Sequence, residues 1–130
     1  MVARIEAGRY EPTLVEADTL ELARVAAAAL GEQAGAGGSG AGVRVHREPT
    51  ERALVALGRC ALRHGGLERV EIAAEGTVIS IAPVTEAGPI LLGEDLRDLG
   101  AAAARRLIEA FGGSLAVEDE RLLVRLPAWA

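Results

Sequence analysis

Aromatic side chains are nearly absent from this chain: Tyr10, Phe111 and Trp129 are the whole set in 130 residues. A base-stacking platform for single-stranded nucleic acid needs exposed aromatics, so that function is excluded. The apolar half of the composition is mostly Ala, Leu and Val, which favours close helix-on-sheet packing over large aromatic pockets. Cysteine is represented by Cys60 alone, so there is neither a disulfide framework nor a multi-cysteine metal site. No basic stripe is present. The net charge is −5, with the basic residues scattered among Glu and Asp, and nucleic acid is not expected as a partner. Long apolar runs are missing too. Val25–Leu30 is far too short to cross a bilayer, and the charged start, Met1 to Glu6, lacks the apolar stretch of a signal peptide. These absences imply a soluble, cytoplasmic protein.

What is present fits one domain with a core of useful size. Thr13–Glu16 reads as a short strand. Asp18 with Glu21 three residues on is a capping-box pattern opening a helix. Leu22, Val25, Ala26 and Ala29 recur at helical spacing, and Gly31 ends the segment. Residues 31–42 are Gly/Ala/Ser-rich and read as a flexible connection. A phosphate-cradling loop is the competing reading, but no Lys-Ser/Thr follows and no helix opens there. Val43–His46 alternates as a strand. Pro49 opens a second helix that runs to about His64 and stops at Gly65-Gly66. Val70–Ala73 and Thr77–Ile81 form a hairpin about Glu75-Gly76. Pro83 to Glu94 is irregular. A third helix covers about Asp95–Phe111, with Leu96, Leu99, Ala103, Leu107 and Ala110 at helical spacing. Ser114–Val117 and Leu122–Leu126 pair around Glu118-Asp119-Glu120. The expected fold class is α/β: a two-layer sandwich with a mixed, mostly antiparallel sheet and about three helices on one face.

From Glu51 to Pro127 this order and these residues resemble the ATP-binding domain of bacterial two-component sensor histidine kinases. That domain belongs to the wider superfamily shared with gyrase, Hsp90 and MutL. The closest block is Asp98-Leu-Gly-Ala-Ala-Ala-Ala-Arg-Arg-Leu-Ile-Glu-Ala-Phe-Gly-Gly-Ser-Leu. The family reads roughly Gly-Leu-Gly-Leu-Ala-Ile-Ala-Arg-Arg-Leu-Ile-Glu-Ala-His-Gly-Gly. Ala53–His64 looks like the family's Leu-Leu-Asn-Leu-Leu-Asp-Asn-Ala-Leu-Arg-His, and Leu123–Pro127 matches how such domains close. Ala3–Pro12 looks like the segment leading from the phosphoacceptor helices. The resemblance therefore implies a linker remnant at 1–12 and an ATPase-like domain at 13–130.

Residue by residue, the resemblance implies a damaged nucleotide site. The asparagine that would supply a Mg²⁺ oxygen ligand aligns with Cys60, and the family's other asparagine, one turn earlier, with Ala56. Arg63 and His64 persist, although basic residues also suit a helix carboxy terminus. The aspartate that accepts from the adenine amino group aligns with Pro83. With a short insertion, Glu86 and Gly88 in Glu86-Ala-Gly-Pro-Ile become its damaged counterpart. Only Leu91–Arg97 is left for the lid over the triphosphate. Gly100 remains from the Gly-x-Gly turn, but the first glycine is Asp98, whose charge opposes phosphate.

The vestigial nucleotide-site residues are thus Glu86, Gly88, Gly100, Arg63 and His64. No resident cofactor is expected; Mg·ATP would be the ligand if the site survived. No phosphoacceptor histidine is apparent, because His46 falls in a strand and His64 at a helix end. A Cys60–His64 nucleophile is weighed against a buried structural thiol, and the thiol is preferred. Ala101–Ala104 reads as a tight helix–sheet contact, and Trp129 as an edge cover, an anchor for a partner or part of a frayed tail. The expected function is non-catalytic: a degenerate regulatory or interaction module whose partner is a histidine kinase, a response regulator or a second copy. The alternative is a divergent domain that still binds ATP or ADP.

Overall fold

The computed structural model describes residues 14–65, 68–84 and 98–129. Their order is β1 (Val15–Asp18), α1 (Thr19–Leu30), a 3₁₀ turn (Gly31–Gln33), β2 (Ala34–Gly40), β3 (Gly42–Val45), α2 (Arg47–Gly65), β4 (Val70–Gly76), β5 (Val78–Ala82), α3 (Leu99–Ala110), β6 (Ser114–Glu118) and β7 (Arg121–Arg125). The main sheet runs β2-β4-β5-β7-β6. Only the β2–β4 pair is parallel; the other three pairs are antiparallel. β1 and β3 make a separate antiparallel pair. This is the expected mixed, mostly antiparallel α/β sandwich.

One face of the main sheet is the core face. Ile72 pairs with Ile81, Ile81 with Leu122, and Leu122 with Val117. The next rung runs Ala74, Ile79, Val124, Leu115. Strand alternation puts all eight on one side. Leu22, Ala23 and Ala26 of α1 and Leu54 and Leu57 of α2 are buried in the same core. α2 is the central helix, packed against both α1 and α3.

The glycine-rich segment is the main correction. Residues 34–40 are a strand, paired in register from Ala34↔Val70 to Gly40↔Gly76, not a flexible connection. Two of its glycines, Gly38 and Gly40, are there for contact. A Cβ on Gly38, at φ +103°, would collide with the Ala74 carbonyl oxygen, and one on Gly40 with the Asp18 carboxylate. Thr19, fully buried, ties the region together. Its hydroxyl donates to Gly76 O at 2.6 Å and accepts from Ala41 N–H at 3.0 Å.

Helix ends follow the sequence signals. Asp18 caps α1 through Leu20 N–H, and Gly31 at φ 71° closes it. Glu21 does not complete the capping box; it pairs with Arg47 of α2 at 3.2 Å. Asp98 caps α3 through Ala101 N–H. Gly112 follows α3 at φ 101°, and Gly113 N–H returns to Ile108 O. His46 lies just past β3, where its carbonyl accepts from Thr50 N–H at the start of α2.

The buried helix faces are rotated from the expected ones. In α1, Ala23, Ala26, Ala27 and Leu30 are buried, while Val25 is 40% exposed. In α3, Ala101, Ala104 and Ile108 are buried, Ala103 and Ala110 are exposed, and Leu99 is 72% exposed. Runs of alanine make every helix face apolar enough, so contact with the sheet and α2 selects the stripe. Within Ala101–Ala104, the expected tight contact is made by Ala101 and Ala104, while Ala102 is half-buried and Ala103 faces out. Ala128 and Trp129 are held in place: Trp129 N–H donates to Gly42 O, Val43 bridges Ala128, and Arg44 lies 5.4 Å from the Trp129 ring centroid. Among the described residues, no helix is long and apolar enough to cross a membrane.

Candidate functional site

α2 and α3 meet where the resemblance places nucleotide. Ala56, Cys60 and His64 occupy positions one turn apart on α2, so they share one face. That face looks onto the amino terminus of α3. A Cβ added to Gly100 would stand 3.2 Å from Asp98 Oδ1 and 3.8 Å from Ala56 Cβ. Four of the positions singled out in the sequence, together with His64, thus converge: Ala56, Cys60, Asp98 and Gly100.

The junction has two parts. Toward the start of α2 there is an open groove of about 360 Å³ lined by Pro49, Arg52, Ala53, Ala56, Gly100, Ala103, Ala104 and Leu107. Its walls are mostly methyl groups. Toward the end of α2 lies a polar knot. The donor atoms of Cys60, His64 and Asp98 all fall within 4.8 Å of one another. Asp98 divides its two oxygens: Oδ1 accepts from Ala101 N–H at 3.1 Å, and Oδ2 stands 3.4 Å from His64 Nε2. His64 Nε2 is shielded from solvent and makes no hydrogen bond.

Cys60 is fully buried. Burial, the nearby Asp98 charge and a hydrogen bond to Asp98 push its thiol up to about 12, against a smaller opposing pull from Arg63. A nucleophilic cysteine needs an accessible thiolate, so this environment is the reverse of an activated one.

The other site residues fall differently. Arg63 is exposed and lines a separate small cavity with Gln33, Arg59 and Leu62, away from the α2–α3 groove. Pro83, where the gap-free resemblance implies the adenine-binding aspartate, directly follows β5 and offers no acceptor side chain. Glu86, Gly88 and the short lid segment lie outside the described residues. Asp119 and Glu120 form the two-residue β6–β7 turn with φ of 51° and 60°.

The gathering of Cys60, His64 and Asp98 into one cluster is what reasoning from sequence missed. A Cys and a His four residues apart were visible on α2. Nothing local indicated that the cap of α3 would close on both.

No protein-family model matches the chain. No curated protein sequence matches it either. Solved structures do. The ATP-binding domain of PrrB from Mycobacterium tuberculosis superposes with a TM-score of 0.70 at 20% identity, covering 90% of this chain and 98% of that one. The histidine kinase AdeS of Acinetobacter baumannii gives 0.70 at 15% identity, covering 99% of this chain and 74% of that one. The catalytic domain of histidine kinase ThkA, in a nucleotide-free form, gives 0.62 at 16% identity, covering 88% and 96%. At such identities the likeness is one of fold, and the fold of this chain is that of histidine-kinase ATP-binding domains.

Proposed function

We propose that the chain is a degenerate histidine-kinase-type ATPase domain, a non-catalytic regulatory or protein-interaction module in two-component signalling. The observation that carries this reading is the side-chain set at the α2–α3 junction. Magnesium is a hard ion that takes oxygen ligands. The two positions where the resemblance implies asparagines present a methyl group at Ala56 and a buried thiol at Cys60. A helix amino terminus ordinarily favours anions. Here Asp98 already occupies that end of α3 with its own carboxylate. Mg·ATP therefore does not fit this residue set.

Kinase activity by the chain alone is not expected either. Its two histidines are His46 and His64. The first sits between β3 and α2, and the second faces Asp98 from the end of α2. Neither is placed as a phosphoacceptor on a helix ahead of the domain. The fold is then kept for its surface, and the partner is a histidine kinase, a response regulator or a second copy.

The thermal midpoint of the full chain, with and without millimolar Mg·ATP or Mg·ADP, tests this. A ligand that binds only the folded state must raise the midpoint. The proposal expects no shift. A saturable rise that disappears in Glu86→Ala would establish the alternative, a divergent nucleotide-binding domain working through Glu86, Gly88 and Gly100. Light scattering over a concentration series separates the partners: growth in mass with concentration assigns self-association, and a constant monomer mass leaves a heterologous partner.

A further inference from the structure

Cys60, His64 and Asp98 place a sulfur, a nitrogen and an oxygen donor around one point. Two come from α2 at one-turn spacing and the third from the cap of α3. All three donor atoms lie within 4.8 Å of one another. In a tetrahedral site with ordinary zinc bond lengths, such ligand atoms are about 3.5 Å apart. Closure by about 1 Å, within reach of small side-chain rotations, completes the geometry.

Three details fit a cation at this point. Asp98 Oδ2 is not used in capping, since Oδ1 alone holds Ala101 N–H. His64 Nε2 is buried, stands 3.4 Å from Oδ2, and has no hydrogen bond. A ring nitrogen in that state lacks a partner that a metal ion would provide. Cys60 is fully buried, with its sulfur within 4.8 Å of the Asp98 carboxylate and the His64 ring nitrogen.

We propose that Cys60, His64 and Asp98 form a three-ligand site for a borderline-soft divalent transition ion of the zinc class, its fourth position open to water or to a donor from a partner. The donor chemistry selects the metal. Thiolate and imidazole suit zinc or cobalt, whereas magnesium wants oxygen alone. On binding, the Cys60 thiol gives its proton to solvent and the sulfur becomes a thiolate ligand. Thiolate, carboxylate and the divalent ion then sum to zero charge in a mostly buried place. A Cys-His-Asp nucleophile is the competing use of these residues. It is disfavoured because the sulfur is enclosed.

The site stands on this geometry and holds whether or not nucleotide binds, so it is tested with metal alone. Full-length protein, stripped with chelator, is titrated with Co²⁺ and read by absorption. One equivalent should produce a thiolate-to-cobalt charge-transfer band, which Zn²⁺ bleaches and Mg²⁺ does not. Cys60 is the only cysteine, so the band reports on it alone. Cys60→Ser should abolish the band. Asp98→Asn keeps a capping side chain, so it should fold and still weaken Co²⁺ and Zn²⁺ binding at least tenfold; His64→Gln should do the same. Absence of the band at saturating Co²⁺ overturns the proposal. So does a metal titration that Asp98→Asn and His64→Gln leave unchanged.

Discussion

Strand β2 and the α2–α3 junction are built by opposite means. β2 reaches its neighbours by giving up side chains: Gly38 and Gly40 bring backbone against the Ala74 carbonyl and the Asp18 carboxylate. The junction is filled by side chains that converge from separate elements: Cys60 and His64 from α2, Asp98 from the cap of α3. By composition alone β2 reads as a flexible connection, while α2 and α3 read as ordinary helices. The structure inverts that impression. A glycine can mark a place where backbone meets backbone as readily as a place where backbone meets ligand. A polar cluster can be assembled from residues whose own segments do not announce that they will meet.

Substitutions within β2 should break the comparison most visibly. Gly38→Ala forces a Cβ onto backbone at a positive φ, and we expect a loss of about 3 kcal/mol in denaturant unfolding. Gly37→Ala, whose Cβ would meet nothing within 4 Å, should stay within about 0.5 kcal/mol of the parent. Equal effects at both positions would mean that strand entropy, not contact, sets the cost.

The junction should show itself in alkali. Folding raises the Cys60 thiol from its ordinary 9.0 to about 12. The neutral thiol is therefore favoured in the folded state, and its contribution is fully present below 9.0. Above 9.0 the unfolded chain sheds that proton while the folded one keeps it, so stability falls as pH rises, until the folded thiol ionises near 12. In metal-free protein we expect roughly 1 kcal/mol lost per pH unit in this window, and a clearly shallower slope in Cys60→Ala. Matching slopes would show that Cys60 does not sit in the environment described.

The smallest effect separates the two tasks of Asp98. Asp98→Ala removes the α3 cap and should cost about 1 kcal/mol in thermal or denaturant unfolding. Asp98→Asn keeps a capping oxygen and should recover most of it. If both variants lose the same amount, the carboxylate charge toward His64, rather than the cap, is what stabilises this end of α3.

Much of the frame was legible because its signals are local. Asp18 announces a helix start, Gly31, Gly65 and Gly112 announce ends, and the hairpins follow alternation and turn residues; the helical spacing starts the third helix at about Asp95, whereas its cap is Asp98. β2 was not legible, because its strand state is set by pairing with β4 and its own residues favour no conformation. The buried stripes of α1 and α3 were misplaced for a related reason: alanine runs carry little angular information, so tertiary contact chose between nearly equal faces. At the site, each of Ala56, Cys60, His64, Asp98 and Gly100 could be singled out by resemblance. That Arg63 would turn aside while Asp98 closed on His64 depended on how α2 packs against α3, which no single segment encodes.

The central claim is that this fold has kept its frame while the α2–α3 junction has exchanged nucleotide ligands for a different set of donors. Calorimetric titration of Mg·ADP into the full chain tests it most directly. The account predicts no saturable heat at millimolar nucleotide. A saturable single-site isotherm that Glu86→Ala abolishes would contradict it.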